Sequence, residues 1–135
     1  VNAMIPVPRE TPGAWWDDTG AVDARAAAAA AGGYGVEFDV FTYFLHDVPA
    51  AVATEGEAYQ REESDAVFAT SCDFTSWPSA PIRVLAGADD RFFPVTFQQR
   101  VAQERLGIDP DVLPGGHLIA LAHPESVADY LLQRG

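Results

Sequence analysis

The strongest constraint on the fold lies in the last third of the chain, where apolar segments and stop signals alternate in a fixed order. Residues 82–86 (IRVLA) read as a buried strand running into Gly87. Residues 97–106 read as a helix, with Phe97 and Val101 on one face and Gly107 as its stop. Asp111 to Leu113 reads as a second, brief strand. Pro124 suits the first turn of a closing helix, Glu125 suits its positive end, and Val127, Tyr130 and Leu131 give it one apolar face. Strand–helix–strand–helix implies parallel strands joined by a crossover helix, which is an α/β layer structure.

In such a sheet, ligands gather in the loops past the carboxyl ends of the strands. Two loops qualify: GADDRFFP (87–94) and PGGHL (114–118). The first offers the carboxylates of Asp89 and Asp90, the second the imidazole of His117. A histidine can act as a base near neutral pH when a carboxylate on its other nitrogen fixes the tautomer. Gly115 and Gly116 free the backbone beside it. Residue types leave open which of the two aspartates faces the ring. Of the other histidines, His46 in FLHDV reads as a packed or helix-end residue, and His123 as one that caps or decorates the closing helix.

The pattern resembles the C-terminal half of the α/β-hydrolase family. There the acid loop runs Gly, two residues, Asp, then Pro, which matches Gly87, Asp90 and Pro94. The histidine loop ends Gly-His, which matches Gly116 and His117, 27 residues after Asp90. The resemblance implies Asp90 as triad acid and His117 as base. It extends to small esterases of the methylesterase and hydroxynitrile lyase group and their bacterial relatives. The opening VNAMIP then resembles the strand that precedes a cap. The implied layout is a core strand at 1–5, a cap or lid at 6–80, and the C-terminal part of the core at 81–135. It would be a partial α/β-hydrolase with about three parallel strands, crossover helices and a helical cap. The implied activity is that of a serine esterase on small ester or acyl substrates.

The family's nucleophile sits in G-x-S-x-G, and no such run occurs in these 135 residues. Ser64, Ser71, Ser76, Ser79 and Ser126 lack the flanking glycines, as does Cys72, and GGYG at 32–35 has no nucleophile at its centre. In the family's order the elbow precedes the acid and the histidine, so the expectation is a piece of a longer chain. Alone, it would need an N-terminal half or self-association to cover its inner edge. Two alternatives stand beside the esterase. One is a truncated, non-catalytic acidic interaction module. The other is a dehalogenase or epoxide hydrolase fragment whose elbow carries Asp.

Within the cap, residues 6–20 carry three prolines and two glycines and read as loop, residues 21–31 as an alanine-rich helix, 37–45 as a helix with a strand as the alternative, and 49–69 as helical and acidic. Trp15, Trp16, Phe38, Phe41, Tyr43 and Phe44 either line an apolar substrate pocket or form the cap's own core.

Charge narrows the partners. The net charge is −12, from 8 Arg and 20 Asp and Glu. Residues 1–80 hold 3 Arg against 13 acids, and residues 81–135 hold 5 against 7. Such a surface repels phosphate backbones and anionic membranes, so the expected partner is a small-molecule substrate, with neither nucleic acid nor membrane. No phosphate-binding glycine loop and no closely spaced metal ligands occur, so no cofactor or metal is expected. Cys72 is alone and no apolar run approaches the roughly 18 residues of a membrane span. A cytoplasmic location is the expectation.

Overall fold

The computed structural model describes residues 1–132. Two strands, β1 (Leu85–Gly87) and β2 (Asp111–Leu113), pair in parallel with Leu85 opposite Asp111 and Gly87 opposite Leu113. Helix α6 (Val95–Leu106) makes the crossover between them. It buries Phe97, Val101 and Ala102, and it stops where Gly107 turns left-handed (φ 66°), its N–H closing on the carbonyls of Ala102 and Gln103. After β2 come the short α7 (Ile119–Ala122) and the closing α8 (Pro124–Leu132).

Neighbouring residues of an extended backbone point to opposite faces, and Val84, just before β1, and Leu85, its first residue, do so. Val84 packs towards a cluster of Ile5, Trp15, Ala21, Phe93, Phe97, Val101 and Ala102. Leu85 belongs to a second cluster with Ile119 and Val127, flanked by Leu113 and Tyr130. Helix α6 therefore lies against one side of β1 and α7 and α8 against the other, while Val112 of β2 stays exposed.

The first 80 residues supply five helices: α1 (Pro12–Thr19), α2 (Ala21–Gly32), α3 (Val40–Tyr43), α4 (Ala50–Glu57) and α5 (Asp65–Ala69). Helix α1 corrects the expectation of loop over 6–20. Pro12 occupies the first turn, where its missing N–H costs nothing, and the Thr11 hydroxyl accepts from the Ala14 N–H. Its inner face carries Trp15, whose indole N–H donates to the Ile5 carbonyl. Gly20 (φ 65°) ends α1 and starts α2. The alanine-rich helix ends at Gly32 with Gly33 as its left-handed cap, as expected. The aromatic stretch 37–45 is helical only over Val40–Tyr43, and 49–69 is broken into α4 and α5 by an irregular stretch.

Residues 1–5 do not form the expected strand. Asn2 sits at φ 44°, outside any strand conformation, and one backbone bond, from its N–H to the Leu85 carbonyl (2.9 Å), ties the segment to the sheet. Among the described residues the sheet thus has two strands where about three were expected.

Candidate functional site

The loop after β1 turns on Asp90. Its Oδ1 accepts from the backbone N–H groups of Phe92 (2.8 Å) and Phe93 (2.9 Å), so the side chain itself closes the turn that launches α6. Its Oδ2 accepts from the Gln98 amide at 3.1 Å, one turn into α6. The same Oδ2 lies 2.9 Å from His117 Nδ1. The carboxylate is wholly buried and the imidazole is 13 % exposed. Between an ionised carboxylate and a neutral imidazole, such a contact puts the proton on Nδ1 and a lone pair on Nε2. Among the described residues nothing hydrogen-bonds to Nε2.

Three phenylalanines wall the imidazole. Phe44 stacks on it at 4.7 Å with the planes 19° apart, while Phe92 (4.9 Å) and Phe93 (5.3 Å) meet it edge-on. Phe92 and Phe93 follow the acid in sequence, and Phe44 comes from the end of α3. Apolar walls keep water from the Asp90–His117 bond and strengthen it.

Asp89 faces the other loop's backbone. Its N–H donates to the Gly115 carbonyl (3.0 Å) and its carboxylate accepts from the Gly115 N–H (3.2 Å). The two aspartates therefore divide the work: Asp90 meets the ring and Asp89 holds the turn beneath it. A close approach makes the glycines necessary. A Cβ on Gly87 would fall 2.4 Å from the Gly115 carbonyl oxygen, and one on Gly116 would fall 2.6 Å from both His46 Nε2 and Asp47 Oδ1.

His46, read from the sequence as a packed or helix-end residue, and Asp47, which the sequence did not single out, both enter the site. Asp47 Oδ2 accepts from the Gly116 N–H at 2.6 Å and lies 3.6 Å from His123 Nε2. His46 Nε2 and Asp47 Oδ1 are buried without a hydrogen-bond partner. The sequence carried only a weak signal here, an adjacent His-Asp pair after an aromatic run. His123 ends α7, its carbonyl accepts from the Val127 N–H at the start of α8 (3.2 Å), and its ring turns to Asp47.

One cleft opens on Asp90 and another on Phe44, the ring stacked on His117. The first, of about 470 Å³, is lined by Tyr34, His46, Asp47, Asp89, Asp90 and Arg91 among others. The second, of about 520 Å³, is lined mainly by apolar groups, including Phe38, Phe44, Leu45, Val52 and Leu118. The aromatic residues proposed as pocket walls or cap core thus divide. Trp15 and Tyr43 are fully buried, Phe38 and Phe44 line the apolar cleft, and Phe41 is exposed. Ser64, Ser71, Ser76, Ser79 and Ser126 are all exposed, and none reaches Nε2. Cys72 is half-buried.

Among the described residues no group of three or more His, Cys, Asp or Glu is arranged to hold a metal ion, and no helix is long and apolar enough to cross a membrane. No protein-family model, curated protein or solved structure matches the chain.

Proposed function

We propose that this chain carries the acid–base pair of a hydrolase acting on small carboxylic esters or related acyl substrates, in the manner of the C-terminal part of an α/β-hydrolase. The carrying observation is the 2.9 Å contact between a buried carboxylate and His117 Nδ1 at the ends of two parallel strands. In this reading His117 Nε2 takes the proton of an attacking hydroxyl and returns it to the leaving group. Asp90 orients the ring and stabilises the imidazolium. Residues 6–80 act as the lid, and the apolar cleft beside Phe44 receives the substrate's apolar part. These residues contain no G-x-S-x-G elbow, so the hydroxyl belongs to a segment outside them, as does the oxyanion hole.

The test begins with the coding sequence upstream of Val1. If it encodes a G-x-S-x-G elbow, the joined protein should hydrolyse p-nitrophenyl acetate, and Asp90→Asn should lower kcat by about 10³–10⁴-fold. His117→Ala should cost at least as much. Activity indifferent to His117→Ala would end the proposal. An aspartate at the elbow would redirect it to dehalogenase or epoxide hydrolase chemistry, and no elbow at all would leave a non-catalytic interaction module.

A further inference from the structure

Asn2 is buried, 7 % exposed, at a backbone conformation that non-glycine residues rarely adopt. Asparagine tolerates it best among the residues with a Cβ. Its side chain is fully used. The amide nitrogen donates to two successive carbonyls of the histidine loop, Gly116 (2.9 Å) and His117 (2.8 Å). The amide oxygen accepts from the Gly87 N–H at 2.8 Å. Its own N–H donates to the Leu85 carbonyl. The two carbonyls on one side and the N–H on the other fix which end of the amide is oxygen.

We propose that Asn2 is a positioning residue: one side chain fastens the carbonyls around His117 to the end of the strand that leads to Asp90. The inference rests on the reading of Asp90 and His117 as an acid–base pair. A loop with two adjacent glycines has many backbone rotations open to it. The imidazole can stay on the carboxylate only while the backbone carrying it is held. Asp89 and Asp47 hold the N–H groups of Gly115 and Gly116, and Asn2 alone holds the next two carbonyls by side-chain bonds among the described residues.

Two substitutions separate the halves of the clamp. Asn2→Asp keeps the shape and the acceptor for Gly87 but loses both donors. Asn2→Gly removes all three side-chain bonds while relieving the left-handed backbone. The readouts, by NMR on the 135-residue chain, are solvent exchange of the His117 Nδ1 proton and of the Gly87 amide. In Asn2→Asp the Nδ1 proton should exchange about tenfold faster, as expected for loss of one to two hydrogen bonds, with the Gly87 amide within about twofold of the parent. In Asn2→Gly both should accelerate. A folded Asn2→Asp with unchanged Nδ1 exchange overturns the proposal. So does global unfolding of both variants by circular dichroism, which would make Asn2 a general support of the fold. If the parent shows no protected Nδ1 proton, the acid–base reading itself fails. The clamp is then judged on Gly87 alone, and an unchanged Gly87 amide in Asn2→Gly overturns it.

Discussion

Asp90 accepts hydrogen bonds from two backbone N–H groups and the Gln98 amide while contacting His117, so its removal strands several buried donors at once. Asp90→Ala should cost about 3 kcal/mol in urea denaturation, because each unsatisfied buried group costs about 1–3 kcal/mol. His117→Ala, at the rim of the same network, should cost less. A second buried charge belongs to the fold alone. Glu10 makes a two-pronged pair with Arg105, Oε1 to Nη2 at 2.8 Å and Oε2 to Nη1 at 2.5 Å. Burial pushes its carboxyl upward, but the hydrogen bonds from Arg105 and the Val7 N–H, with the charge of Arg105, outweigh this and hold it below the usual carboxylate range. A lowered value means that folding favours the ionised form. Its contribution is complete above the unfolded value, about 4.3, and is lost as pH falls through the folded one. Glu10→Gln should therefore flatten the acid side of the stability–pH curve, measured by chemical denaturation from pH 7 to 3. Asp90 and His117 were legible in the sequence because residue type and spacing mark a turn that can present each group. Asp47 and Asn2 were not, since their bonds to Gly116 join residues 69 and 114 positions apart and nothing local announces them.

The elements carry a sharper test of how closely the two loops approach. A methyl group on Gly87 would press on the carbonyls of Gly115 and Gly116, which are backbone and cannot swing away. Gly87→Ala should cost about 2 kcal/mol as overpacking does, and it should move the His117 ring signals in NMR. At the start of α1, Thr11→Ala removes the acceptor for the Ala14 N–H and should cost about 1 kcal/mol in thermal or urea unfolding. The order of strand, crossover helix, strand and closing helix over 82–132 was readable because hydrophobic period and glycine stops agree there, although β1 runs over Leu85–Gly87 and not 82–86. Helix α1 was hidden by its own flanking prolines, one of which starts the helix. The apolar letters of 1–5 resembled a strand, yet Asn2 gives up strand geometry to place its side chain between two loops.

For the whole molecule, the parallel pair is narrow for the surfaces it exposes. Among the described residues no strand pairs with the outer edge of β2, and Val112 and Leu121 are exposed near it in sequence, with Leu131 and Leu132 on α8. A net charge of −12 opposes association of identical chains at neutral pH. That repulsion fades towards the isoelectric point near 4.3. Sedimentation velocity on the isolated chain should show larger species as pH falls from 7 towards 5, and raised salt at pH 7 should promote them too. The acidity was readable from composition, whereas the contrast between buried β1 and the half-exposed β2 emerges only once they are paired.

Phe44 belongs at once to the side wall of the apolar cleft and to the dry face of the imidazole. Whatever guest occupies that cleft leans on the same ring that keeps solvent off the histidine. Under the proposed acid–base reading, selectivity and proton-handling would share this one ring, and widening the cleft at this position would wet His117.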